Sequence, residues 1–162
     1  MIVFLSLGSN IGNRYENLNK AISLINFKDN ISIILKSKIY ETSPMEYLKQ
    51  DFFLNQVISI DTDIAPLDLL KIVKEIEVKI GRERQKNKYM PRVIDIDILS
   101  YNDLILNNKN LFIPHPKIKF RKFILKPWTD ISPDYILPNS KSSIKQLLER
   151  VSHLRDKVRE YN

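Results

Sequence analysis

The chain has 162 residues, 43% hydrophobic and 28% charged, which suits one globular domain over residues 1–162 and excludes a disordered or fibrous protein. Zero cysteines exclude a disulfide framework, a thiol nucleophile and cysteine-ligated zinc, and two histidines exclude a histidine-rich metal site, so any metal would need oxygen ligands. The net charge of +7 raises the question of an anionic partner, while the lack of roughly 20 consecutive apolar residues and of a basic signal region leads to a cytoplasmic expectation with no membrane partner.

Residues 2–7 read as a buried strand, punctuated by Gly8-Ser9-Asn10-Ile11-Gly12-Asn13, in which Gly8 and Gly12 are expected to serve a turn. Leu18, Ile22 and Ile25 then mark a helix. Residues 31–40 and 52–60 alternate as two strands, the second with Phe53, Asn55 and Val57 on one face and Phe52, Leu54, Ile58 and Ile60 mostly on the other. The polar loop between them is longer than a tight hairpin requires and is a candidate lid. Pro66 suits the first turn of a helix that carries Leu69, Ile72, Val73, Ile76 and Ile80 at helical spacing, and Gly81 suits its stop. Residues 82–91 show no periodicity; residues 93–99 alternate strictly, with Ile94, Ile96 and Ile98 facing one way. Residues 111–113 read as a short strand, and Ile144, Leu147, Leu148, Val151 and Val158 as a final amphipathic helix behind Ser142 and Ser143, with His153 on its surface. Adjacent strands flanked by single helices, without regular βαβα alternation, predict an α+β sandwich.

In Asp95-Ile96-Asp97 the two-residue period of a strand sets both carboxylates on one face, roughly 7 Å apart at the backbone. Like charges there repel. A solvated strand face tolerates this, and a hard divalent cation relieves it, since Mg²⁺ prefers one or two carboxylates plus substrate phosphates. Residues 82–92 and 117–126 hold ten of the 26 lysines and arginines against one acid, Glu83. Arg82, Arg84, Lys86, Lys88 and Arg92 thus crowd the approach to the two acids and Arg121 lies beyond them, all donors suited to phosphate oxygens. Acids with arginines point to phosphoryl-type transfer. Gly8 and Gly12 lie too close together for a P-loop and lack its Lys and Ser/Thr. His115, held between Pro114 and Pro116, is a candidate phosphate donor, although a lone histidine is as readily structural. Asn55 offers a carboxamide to an amide-like heterocycle edge, with Phe53 beside it as a wall. Two rival readings use the same residues. A nucleic-acid binder would use the cationic windows, but carboxylates on the same face would repel a phosphate backbone. A two-metal hydrolase would use the acids and need no heterocycle pocket.

Gly8-Ser9-Asn10, Phe53-Leu54-Asn55, Gly81-Arg82-x-Arg84, Pro91-Arg92-x-x-Asp95-x-Asp97, Pro114-His115 and Arg121-x-Phe123 follow one another along essentially the whole chain. In that order and spacing the chain resembles the 6-hydroxymethyl-7,8-dihydropterin pyrophosphokinases of folate biosynthesis. The resemblance implies a three-layer α/β/α sandwich with a ferredoxin-like antiparallel sheet. It also implies transfer of pyrophosphate from ATP to the pterin's hydroxymethyl group, giving AMP and the pterin diphosphate. By the same resemblance Asp95 and Asp97 hold two Mg²⁺ ions, and Arg82 and Arg92 join them as catalytic residues that close over the phosphates. Lys74, Glu77, Arg84, Lys88, Tyr89, Ile98, His115 and Arg121 would meet ATP, while Thr42, Ser43, Pro44, Met45, Phe53, Asn55 and Phe123 would meet the pterin. The expected partners are these two small molecules, with no nucleic acid, and a monomer is expected. The chain departs from the family's common pattern at Tyr89-Met90, where many members carry Trp-Gly, and at Lys74, Gln85, Phe53 and Pro116. These departures bear on loop closure and on affinity for ATP or pterin more than on the identity of the reaction.

Overall fold

β1 (Ile2–Ser9) is buried at every position but its first, because it is an interior strand of the molecule's main sheet, paired on both sides. The computed structural model describes residues 1–45, 49–83, 90–154 and 156–162. Within them, β1 is followed by α1 (Arg14–Asn26), β2 (Ile31–Lys36), β3 (Tyr40–Thr42), β4 (Phe53–Thr62), α2 (Pro66–Ile80), β5 (Asp95–Tyr101), β6 (Leu106–Asn108) and β7 (Leu111–Ile113). A 3-10 turn (Ile118–Phe120), α3 (Lys122–Ile131), α4 (Ile144–Arg150) and β8 (Val158–Glu160) complete the order. The strands of the main sheet run β5-β1-β4-β3-β8 with β2 also on β4, every pair antiparallel, and β6 pairs with β7 in a separate ribbon.

Alternation along the strands divides the core in two. Val3, Leu5 and Leu7 of β1, Leu54, Ile58 and Ile60 of β4, and Ile96 and Ile98 of β5 pack against Leu18, Ala21 and Ile25 of α1 and Leu69, Val73 and Ile76 of α2. On the other face Phe4, Val57 and Leu99 meet Ile124, Leu125 and Trp128 of α3 and Ile144 and Leu147 of α4. The result is the expected α/β/α sandwich. Trp128 is fully buried, with its ring centroid 4.9 Å from that of Phe4.

Helix ends follow local chemistry. Asn13 caps α1 by accepting from the Glu16 amide, and Pro66 opens α2. Gly81 closes α2 at φ 113°, a left-handed conformation that costs other residues energy, and the turn lets the Arg82 amide bond back to the Glu77 carbonyl.

Three expectations are corrected, and one helix is added. The stretch 31–40 is not one strand: at Ser37 the chain breaks register, its amide donating to the Val57 carbonyl (2.9 Å) while its hydroxyl accepts from the Val57 amide (3.0 Å), so β2 and β3 grip separate halves of β4. Gly8 is not a turn residue, because β1 continues through it to Ser9; the turn belongs to Gly12, at φ 65°. The last helix stops at Arg150, and Val158 opens β8 against β3 instead of extending the helix. Finally α3 was not anticipated, since the interior Pro127 breaks the usual helical signature.

Candidate active site

On the face of the sheet away from α1 and α2, the register of β1 fixes what stands beside what. Gly8 lies opposite Asn55 of β4 on one side and Asp95 of β5 on the other; one pair further along, Ser6 lies opposite Val57 and Asp97. Small residues on β1 thus form a floor between the carboxylates and the carboxamide. A Cβ at Gly8 would stand 2.9 Å from Asn55 Oδ1, so here glycine is required by close approach and not by backbone angle. Asn55 is buried, and its Nδ2 donates to Thr42 Oγ1 at 2.7 Å.

A cavity opens on this floor and a second adjoins it around β5. One, of about 390 Å³, is lined by Thr42, Ser43, Pro44, Met45, Phe53, Asn55 and Phe123, which is the whole expected pterin set. Ser6, Gly8, Gln50 and Phe120 complete its walls. The other, of about 770 Å³, is lined by Lys74, Arg82, Ile98 and His115 of the expected ATP set, together with Leu70, Met90, Pro91, Asn110 and Phe112. Arg92, Asp95, Asp97, Lys117 and Arg121 line both. The larger cavity is thus joined to the smaller at the two acids and a group of cations. Arg84, Lys88 and Tyr89 lie outside the described residues. Ile98 has its side chain in the core, and Glu77 lines neither cavity.

Glu77 organises the larger cavity from beneath. Its buried carboxylate accepts from Lys74 Nζ (2.8 Å) and from the Ile96 amide of β5 (2.7 Å), and pairs with Arg82 Nη1 (2.6 Å). Burial pushes its pKa above the usual carboxylate value despite Lys74 and Arg82. Arg82 Nη1 also reaches Asp95 Oδ1 at 2.5 Å, and Arg92 Nη1 reaches Asp95 Oδ2 at 2.5 Å. Burial acts to raise the Asp95 pKa, but the charges of Arg92, Arg82 and Lys74 outweigh it and hold the group below the ordinary value. Asp97 has a more distant cation, Arg121 Nη1 at 4.0 Å, and burial followed by repulsion from Asp95 pushes its pKa up to about 6. Neighbouring carboxylates therefore differ in basicity because they differ in partners.

The Gly8-Ser9-Asn10 segment also ties the surrounding loops together. Asn10 Nδ2 donates to Gln50 Oε1 (2.9 Å) and the Asp51 carbonyl (3.3 Å), while Asn10 Oδ1 accepts from the Arg92 amide (2.8 Å). Arg14, at the start of α1, donates to the Phe52 carbonyl (2.6 Å) and to Glu41 (2.9 Å).

His115 is presented by its own backbone, the amide donating to the Leu99 carbonyl at 2.8 Å, and its Nδ1 accepts from the Lys117 amide at 3.2 Å. Burial, and then the charges of Arg121 and Lys117, lower its pKa from 6.5 to about 4. The ring is therefore neutral at pH 7, with Nε2–H left as the donor. Because the folded pKa lies below the unfolded one, His115 withdraws stability as pH falls from 6.5 towards 4. Asp97, raised, does the opposite between 6 and its ordinary 3.8. His115→Gln should gain on the order of 2 kcal/mol relative to the unsubstituted protein between pH 7 and 4.5. Denaturant unfolding at the two pH values measures it, and a difference independent of pH would contradict the assignment.

Sequence reasoning missed Ser6, Gly8, Gln50, Lys117, Phe120 and Phe112 as lining residues. The floor residues carry no chemical signal of their own, and only the strand register reveals them. Phe120, between Lys119 and Arg121, did have one, an aromatic among cations; Phe112 had none.

Among the described residues no group of three or more His, Cys, Asp and Glu side chains is placed to hold a metal ion, and no helix is long and apolar enough to cross a membrane. The 2-amino-4-hydroxy-6-hydroxymethyldihydropteridine pyrophosphokinase of Methylorubrum extorquens is 37% identical over 134 residues, covering 83% of this chain and 84% of its own. The folic acid synthesis protein fol1 of Schizosaccharomyces pombe is 37% identical over 150 residues, covering 93% of this chain, which spans only 20% of that longer protein. The crystal structure of wild-type Plasmodium falciparum HPPK-DHPS with SDX-DHP aligns with a TM-score of 0.72 at 21% identity, over 92% of this chain and 43% of that one, a likeness of fold. Residues 4–133 match the model of the 7,8-dihydro-6-hydroxymethylpterin-pyrophosphokinases (HPPK), and with the close bacterial relative this makes the chain a member of that family.

Proposed function

We propose that the protein transfers pyrophosphate from ATP to the hydroxymethyl group of 6-hydroxymethyl-7,8-dihydropterin, giving AMP and the pterin diphosphate for folate biosynthesis. The observation that carries this is the pair of cavities that meet at Asp95 and Asp97. Such an arrangement suits a heterocycle and a nucleotide brought together at their reacting ends. In the reaction the hydroxymethyl oxygen bonds to the β-phosphorus, the bond from that phosphorus to the oxygen bridging to the α-phosphorus breaks, and AMP leaves with that oxygen. The hydroxyl proton is released to water, so the step balances as ATP and alcohol giving AMP, pterin diphosphate and a proton. Catalysis then rests on positioning and charge neutralisation, and the chain needs no nucleophile.

The donor set fits Mg²⁺. Asp95 and Asp97 supply hard oxygens on one strand face, too few to enclose an ion, and Mg²⁺ is usually held by one or two carboxylates with phosphate oxygens and water completing its shell. We assign two ions to this pair, and when bound they would neutralise phosphate charge and acidify the attacking hydroxyl. Arg82 and Arg92 hold Asp95 and offer guanidinium donors to phosphate oxygens; Arg121 and the Nε2–H of His115 offer donors from the facing wall. Asn55 reads the pterin's amide-like edge, flanked by Phe53 and Phe123 and by the backbone of residues 42–45. Lys74 lines the nucleotide cavity, with Glu77 holding it and Arg82 from below. The proposal includes Arg84, Lys88 and Tyr89 as nucleotide contacts. It takes the chain as one cytoplasmic domain acting as a monomer on small molecules, with no nucleic acid as partner.

The test is a product analysis of purified protein with ATP, Mg²⁺ and the pterin, with pterin-free and EDTA controls. AMP that depends on both pterin and Mg²⁺ is expected. ADP in place of AMP, or pterin-independent hydrolysis, would replace this reading with that of a kinase or a hydrolase.

A further inference from the structure

The family match ends at residue 133, yet the chain's last strand pairs with β3, whose Thr42 lines the smaller cavity. β8 pairs with β3 over its whole length, Glu160 opposite Tyr40, Arg159 opposite Glu41 and Val158 opposite Thr42. The pairing continues past the strand end. The Ser43 amide donates to the Lys157 carbonyl at 3.0 Å, and the Lys157 amide donates back to Ser43 Oγ at 3.0 Å, a reciprocal pair that fixes the Ser43 backbone and side chain together. Tyr161 extends the grip at the other end, its amide donating to the Ile39 carbonyl at 2.9 Å.

A second set of contacts starts from Glu41. Its carboxylate is shared between Arg159 of β8 and Arg14 of α1, and Arg14 also holds the carbonyl of Phe52. Thr42, Ser43, Pro44, Met45 and Phe53 line the cavity, and Glu41 and Phe52, the neighbours of Thr42 and Phe53, are thereby tied to one ionic cluster in which β8 supplies a member. Thr42 in turn accepts the Asn55 carboxamide proton. The chain of contacts thus runs from β8 through Thr42 and Ser43 to Asn55, while Lys157, Val158 and Arg159 line neither cavity. A three-residue strand at a sheet edge contributes little stability of its own. What its placement does provide is a template for the backbone of the segment it borders.

We propose that β8 is a positioning element for the pterin cavity, setting affinity for the pterin through the backbone of Thr42 and Ser43 without touching it. This rests on the pyrophosphokinase reading above, in which that cavity takes the pterin. The consequence is asymmetric: β8 has no contact with the larger cavity, so nucleotide affinity should not depend on it.

The experiment uses the full chain and two variants that act on different contacts. Lys157→Pro removes the amide that donates to Ser43 Oγ; Arg159→Ala removes one of the two cations on Glu41, leaving Arg14, and Arg159→Lys restores it. Steady-state AMP formation gives KM for each substrate, and thermal melting checks the fold. Each of the two disruptive variants is expected to raise the pterin KM about tenfold, the loss associated with one or two hydrogen bonds, and to leave the ATP KM within about twofold. Arg159→Lys should recover most of the loss. A pterin KM unchanged in Arg159→Ala, whose side chain is mostly solvent-exposed and whose loss leaves the backbone intact, would overturn the proposal, as would parallel rises in both KM values. Pterin-dependent AMP from the unsubstituted protein separates these outcomes from failure of the underlying reading, because its absence would remove the reaction itself and the role of β8 with it.

Discussion

Asp97→Asn is expected to lower turnover by roughly 10³-fold or more with saturating substrates and Mg²⁺, while the folded protein becomes no less stable at pH 7.5. The loss follows from removing one of the two carboxylates that, among the described residues, lie where the cavities join. The stability follows from the group's elevated pKa of about 6 against an ordinary 3.8. A carboxylate raised in this way contributes most below its unfolded pKa, and that contribution disappears as pH rises through 6. Above pH 7 the ionised side chain opposes folding by on the order of 1–2 kcal/mol, once its partial exposure is allowed for. Asparagine keeps the shape and removes the charge. Rates of AMP formation and urea unfolding at pH 7.5 and pH 5 measure the two halves of the statement. A variant retaining more than about a tenth of the activity, or one that loses activity by unfolding, would contradict it.

Asn55→Ala should reduce kcat/KM for the pterin by about 10²-fold while changing the ATP KM little, the scale of one or two buried hydrogen bonds left unmade. Asn55 sits across β1 from the acids, so its loss leaves the larger cavity intact but removes the carboxamide from the smaller one and strips Thr42 of its donor. A general two-metal hydrolase would tolerate this change. Equal losses toward both substrates would mean that Asn55 supports the sheet and does not read the pterin.

Much of this site was legible before the fold was seen, for a physical reason that applies to each part. Period-two alternation put Asp95 and Asp97 on one face and Asn55 with Phe53 on another strand's equivalent face, and the structure keeps both arrangements. What alternation along one strand cannot reveal is the neighbour across it. Gly8 looked like a turn residue because glycine commonly is one; its actual task depends on a strand 47 positions away in sequence whose carboxamide needs the space. The division of β2 from β3 at Ser37 was hidden likewise, since both halves carry strand-forming residues and the break lies in a hydrogen-bond pattern with Val57. Helix α3 was masked by Pro127, and Trp128 beside it becomes intelligible only once Phe4 and Tyr135 are seen around it. Family likeness puts Glu77 near the nucleotide, and in the structure its carboxylate holds Lys74 and Arg82, both of which line the larger cavity.

The row Asp95, Gly8, Asn55 crosses adjacent strands at successive ladder positions. Neighbouring strands lie about 4.8 Å apart, so the carboxylate and carboxamide backbones are separated by roughly 10 Å through two hydrogen-bonded steps. That separation is a ruler made of backbone. Loops around a site can shift by ångströms as they open and close, but the ladder spacing between paired strands cannot. In the proposed reaction the reach from the heterocycle's anchor to the phosphate end is therefore constant, and a pterin arm of a different length would hold its oxygen away from the phosphorus whatever the loops did. Selectivity for arm length is thus a property of the sheet, while changes in the loops retune affinity and leave reach untouched.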